Sequence, residues 1–216
     1  MRVIINAIFI CFISLGMMRC TTDQPIDVST VQEYSTWLNQ KENGYIQEKE
    51  AGGMILQVKY LPATYLALKE FETKKGMLSF DSLLSAYKYS TTFLLSFRPK
   101  DAEKGEDVML KDVTDYSEYV ERSMTLNFDL ESRLELKTST DNYKPVLSSL
   151  ENTYGLSKGR SIYMVFTAKT QRDELQKASY YDLVYTDDIY NLGILHFMFD
   201  LPAMQKHEPQ IKLHHS

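Results

Sequence analysis

The stretch YYDLVYTDDIYNLGILHFMF, residues 180–199, decides the fold class. Its two ends, residues 180–185 and 192–199, are rich in aromatic and β-branched side chains, and Asp187, Asp188 and Gly193 mark a turn between them. So tight a connection predicts antiparallel strands, because parallel neighbours need a crossover of about a dozen residues or more. Working upstream, residues 145–151 and 161–168 have the same strand character. Polar connections at 152–159 and 171–177 separate these runs. The last third of the chain therefore reads as short, sequential, antiparallel strands.

The first two thirds mix this period of two with helical spacing. Ser29 with Gln32, or Thr30 with Glu33 one register on, forms a capping box ahead of Val31, Tyr34, Trp37 and Leu38. This predicts a helix over 30–42 with Trp37 on its buried face, stopped by Asn43-Gly44. Residues 45–50 and 54–61 flank Ala51-Gly52-Gly53 as a hairpin, with Met54, Leu56, Val58 and Tyr60 sharing one face. Pro62 opens a second helix, and Asp81 caps a short third one. Residues 91–98 form a strand, 99–107 a charged loop and 114–128 a helix. That last helix is expected to turn Tyr116, Tyr119, Val120, Ser123 and Met124 inward, and Leu134 and Leu136 mark a short strand after it. The fold class is α+β, mainly antiparallel sheet with three or four helices concentrated in the N-terminal two thirds. One globular domain spans 29–204, with an exposed tail over 205–216.

The N-terminus has a different character. Arg2 precedes an apolar run over 3–18, broken only by Asn6, Ser14 and Gly16. This is the layout of a signal peptide. A span of the hydrocarbon core needs roughly 20 apolar residues, and this run is shorter. It ends Leu15-Gly16-Met17-Met18-Arg19-Cys20 and resembles the end of a bacterial lipoprotein signal peptide, although Arg19 stands where that family has a small residue. The resemblance implies cleavage after residue 19, acylation of Cys20, with palmitate among the chains, and a tether over 20–28. Ordinary cleavage with release and an uncleaved anchor are the competing readings. Residues 141–155, from Asp141-Asn142-Tyr143 to Tyr154-Gly155, look similar to uncharacterised envelope lipoproteins of Bacteroidota type, a likeness that carries no activity with it.

Composition narrows the function. Removing residues 1–19 takes away Arg2 and Arg19, so the formal charge of −5 becomes −7. An acidic domain with dispersed cations has no electrostatic footprint for nucleic acid. Cys11 and Cys20 are the two cysteines, so a chain beginning at Cys20 forms no internal disulfide and relies on its core.

Candidate chemistry is sparse. Gly155-Leu156-Ser157-Lys158-Gly159 has the form G-x-S-x-G, and Asp182, Asp187 or Asp188 followed by His196 supplies an acid and a base in the order of an α/β-hydrolase. That motif needs a helix after the serine, yet a strand-like run comes after Ser157, which favours a plain turn. Asp182, Asp187, Asp188 and Asp200 are weak metal candidates without EF-hand spacing, and turn chemistry explains aspartates equally well. His207, His214 and His215 lie in the polar tail. No nucleotide or zinc signature is present, and no cofactor is expected. The reading is a non-catalytic, lipid-anchored protein of the cell envelope, at the outer membrane, whose aromatic-rich sheet docks on a protein partner in a surface or secretion assembly. The alternative is a surface hydrolase or glycan-binding protein.

Overall fold

The computed structural model describes residues 26–75, 77–151, 157–168 and 175–213. In chain order these form β1 (Asp27–Val28), α1 (Val31–Leu38), β2 (Ile46–Ala51), β3 (Met54–Leu61), α2 (Ala63–Thr73), α3 (Phe80–Ala86), β4 (Ser90–Pro99), α4 (Tyr116–Phe128), β5 (Leu134–Thr138), β6 (Asn142–Tyr143), β7 (Leu147–Leu150), β8 (Arg160–Thr167), β9 (Tyr180–Asp187), β10 (Gly193–Asp200), α5 (Leu201–Lys206) and β11 (Gln210–Ile211). The fold is α+β with mainly antiparallel sheets. Cys20 and the export segment lie outside the described residues, as do Gly155, Leu156, His214 and His215.

Two antiparallel sheets carry the core. One has five strands in the order β2-β3-β4-β8-β7, and the other four in the order β10-β9-β5-β6. Alternation decides which side chains meet between them. From the larger sheet come Leu56, Val58 and Tyr60, then Phe93, Leu95 and Phe97, then Ile162, Met164 and Phe166, all buried. The smaller sheet answers with Leu134, Leu136, Tyr181, Leu183, Tyr185, Phe197 and Phe199. Ring centroids of Phe93 and Tyr181 stand 5.7 Å apart, and those of Phe97 and Tyr185 5.8 Å, so the sheets pack face to face. The strand tyrosines thus build the core, which removes most of the sheet's aromatic surface from docking.

Local sequence explains the joints. Gly52 and Gly53 both take positive φ, 57° and 73°, as the two-residue turn between β2 and β3 requires. Thr30 caps α1 with Glu33 in a capping box. The helix ends at Leu38 rather than running to 42, and a 3-10 turn over Lys41–Asn43 leads into Gly44 at φ 80°. Trp37 is buried as expected, its ring 5.0 Å from that of Tyr45, which stacks in turn on Tyr60. Ser79 rather than Asp81 caps α3, because its hydroxyl accepts the Ser82 N–H.

The ends of the domain differ from the sequence reading. Asp27 and Val28, expected in the tether, pair in parallel with Gln210 and Ile211, and Val28 is buried. Residues 205–213 are therefore no free tail: α5 closes onto the core through Leu201 and Met204, and Pro209 is buried. Glu208 accepts hydrogen bonds from the Tyr34 hydroxyl at 2.7 Å and from the Thr64 hydroxyl, stitching this segment to α1 and α2. Thr64 and Glu208 also border a cavity of about 350 Å³ beside Tyr45 and Tyr60.

Candidate functional site

The carboxylates singled out from the sequence take separate positions around β9 and β10. Asp187 is an inward residue of β9, and its carboxylate accepts three bonds: the Tyr185 hydroxyl at 2.6 Å and the N–H groups of Tyr190 and Leu192 at 3.1 and 2.9 Å. It holds the turn between β9 and β10. Asp187→Ala leaves those buried donors unpaired and is expected to cost about 3 kcal/mol. A urea midpoint unchanged from wild type would contradict that role.

Asp188 points to solvent and forms a two-pronged ion pair with Arg133, at 2.5 and 3.0 Å. Hydrogen bonding from the guanidinium holds its carboxyl below the usual aspartate range. Asp200 caps α5 by accepting the Ala203 N–H at 3.0 Å. Asp182 lies on the outward face of β9, where Oδ2 meets His196 Nδ1 at 2.8 Å and Oδ1 is buried without a partner. The four aspartates do four separate things. Among the described residues, no three His, Cys, Asp or Glu side chains converge on a point that would hold a metal ion.

Ser157 and His196 are not brought together. Ser157 precedes β8 in the five-stranded sheet, and its hydroxyl accepts the Gly159 N–H at 3.1 Å. His196 sits on β10 between the inward residues Leu195 and Phe197, so its imidazole faces away from the sheet that carries Ser157. The chain beyond the serine enters strand β8 and not a helix.

The feature that hydrophobic spacing misplaces is α4. Asp115 caps it by accepting the N–H groups of Ser117 and Glu118 at 2.7 and 3.1 Å, while the Glu118 carboxylate reaches back to the Thr114 N–H at 2.8 Å. Arg122 fixes its rotation: Nη1 donates to the carbonyls of Val108, Met109 and Lys111, and the guanidinium lies 4.9 Å from the Tyr190 ring centre. That choice turns Tyr119, Ser123 and Leu126 toward the domain. It leaves Tyr116 79% exposed, Val120 39%, Met124 54% and Phe128 76%. The expected inner face holds for Tyr119 and Ser123 and is reversed for Tyr116, Val120 and Met124. The helix has apolar residues on two faces, and the signal that discriminates them is the arginine on the inner one.

Beside the start of α4 lies a groove of about 630 Å³, walled by Met109, Leu110, Val113, Tyr116 and Tyr119. The ion pair of Arg160 with Asp107, at 3.0 Å, borders it.

No protein-family model matches the chain, and no curated protein matches it. Among solved structures it is similar to the crystal structure of a novel protein of unknown function from Burkholderia pseudomallei K96243. The TM-score is 0.34 at 11% identity, over 85% of this chain and 96% of that one. So low a score carries no statement about function. No helix among the described residues is long and apolar enough to cross a membrane.

Proposed function

We propose that the chain is a non-catalytic lipoprotein of the cell envelope, held at the outer membrane through acylated Cys20 and serving as a binding or accessory component of a surface or secretion assembly. The observation that carries this reading is the apolar run that closes on Cys20, followed by a polar stretch before the fold begins at Asp27. Six residues, 21–26, separate Cys20 from β1. At about 3.3–3.6 Å per residue they reach roughly 20 Å, so the domain would ride close to the lipid surface. Several acyl chains would make the attachment lasting, since one chain holds a protein only marginally.

A binding role is supported over a hydrolytic one by where the reactive side chains stand. A hydrolase built on Ser157 and His196 would need the imidazole at the serine hydroxyl, and the imidazole of His196 is engaged with Asp182 on the outward face of the other sheet. Mass spectrometry of the mature protein from membranes is the decisive measurement. A diacylated or triacylated peptide beginning at Cys20 is expected, and Cys20→Ser should move the protein from the membrane to the soluble fraction. An unmodified N-terminus elsewhere would sink the proposal.

A further inference from the structure

The exposed side of α4 is built like half of a helix–helix contact. Tyr116, Val120, Met124 and Phe128 succeed one another at intervals of four residues, which makes a single continuous ridge of the kind that packs into the groove of another helix. The ridge runs about 18 Å. Leu110 extends it at one end, where it shares the groove with Tyr116. Five of the thirteen large apolar side chains exposed among the described residues thus belong to α4 and its approach. Scattered exposed apolar residues need no explanation, but a contiguous set does.

Charge around the ridge selects what covers it. Asp112, Asp115, Glu118, Glu121, Asp129 and Glu131 all stand at exposed positions along and beside α4. Three cations in the segment offset part of this charge: Lys111 pairs with Asp112, Arg133 with Asp129 and Asp188, and Arg122 is held by backbone carbonyls, so the six acids of the segment still outnumber its cations by three. The surface is an apolar ridge with an acidic rim. A second copy of this chain would set acid against acid, and an anionic lipid surface would be repelled in the same way.

We propose that the outward face of α4 is a docking site for an amphipathic helix of a partner protein, whose apolar stripe is flanked by lysine and arginine. Such a helix would seat its stripe along Tyr116, Val120, Met124 and Phe128 and place its cations over the acidic rim. This deepens the binding role given above and rests on it.

The test uses three synthetic peptides of about 18 residues, long enough to match the ridge. One is helical with a leucine stripe and lysine flanks, the second keeps the stripe with glutamate flanks, and the third scrambles the first so that charge remains without a stripe. Fluorescence anisotropy with the full chain in detergent should show the lysine-flanked peptide binding at least tenfold tighter than either other. Met124→Glu and Phe128→Asp, which interrupt the apolar ridge, should each remove the advantage of the lysine-flanked peptide over the scrambled one while leaving the urea midpoint unchanged. Equal binding of the scrambled peptide, or full binding by both variants, would overturn the proposal. A dimer in sedimentation that Met124→Glu dissolves would instead assign the face to a second copy, and vesicle binding lost in the same variant would assign it to lipid; either result also overturns it. Acylation of Cys20 is read separately, so an anchored protein that ignores the peptide removes this face alone and leaves the envelope reading standing.

Discussion

At pH 11 the domain is expected to be unfolded. Tyr34, Tyr45, Tyr60, Tyr181, Tyr185 and Tyr190 are buried, and removal from water raises each phenol above its ordinary value, Tyr181 to about 12 and the others further. A phenol whose folded pKa is raised stays protonated in the domain while its counterpart in the unfolded chain ionises near pH 10. The stabilisation is complete below that pH and is lost as pH rises toward the folded value. One unit above pH 10, each tyrosine favours the unfolded chain by about 1.4 kcal/mol, and six together by about 8 kcal/mol. That matches the whole stability of an ordinary domain, about 5–15 kcal/mol. Absorbance of tyrosinate at 295 nm should rise together with loss of the far-ultraviolet circular dichroism, in one cooperative step between pH 10 and 11. A protein whose urea midpoint at pH 11 equals that at pH 8 would show that these tyrosines are not sealed in the core.

Phe93→Ala should be the most damaging single substitution tested at neutral pH, costing about 4 kcal/mol. Its ring is fully buried at the centre of β4 and lies 5.4–6.0 Å from those of Tyr60, Phe166, Tyr181 and Phe199. Both sheets meet on it, so the vacated space cannot close without moving one sheet relative to the other. Phe128→Ala is the control, since the same atoms are removed from a ring that touches mainly water; its effect is expected within about 0.5 kcal/mol. Urea unfolding of the two variants separates these expectations directly. Similar midpoints would mean that the sandwich is not packed around Phe93.

The period-two runs are legible because each strand buries one face: residues 180–185 and 192–199 hold strands β9 and β10, and the 54–61 run holds β3. Helix α2 is announced by Pro62, and α1 by its capping box. The hidden parts depend on distant contacts. β1 and β11 are two residues each and pair across the whole domain, so neither carries a periodic pattern of its own. α5 is too short for helical spacing to show, and Glu208 matters only because Tyr34 and Thr64 come to it from elsewhere. The rotation of α4 escapes the sequence because hydrophobicity alone favours its outer stripe, whereas Arg122 needs carbonyls that only the folded 108–111 segment offers. Asp187 and Asp188 are neighbours in sequence with opposite fates, one buried under a turn and one paired with Arg133. Asp187 is the last inward residue of β9 and Asp188 the first residue of the turn beyond it, a boundary that no residue-type count reveals.

The short parallel pairing of Asp27–Val28 with Gln210–Ile211 also has a mechanical meaning. If the domain is held through residues before Asp27, as proposed, a pull would enter it first at this two-rung ladder, supported by the ion pair of Lys212 with Asp27. Strands so short offer little resistance to force, while the sheets behind them are joined along eight-residue registers. Tension applied there would therefore open the ladder before it strained the sandwich. If the chain is held through Cys20 as proposed, this ladder would be the first part of the domain to yield.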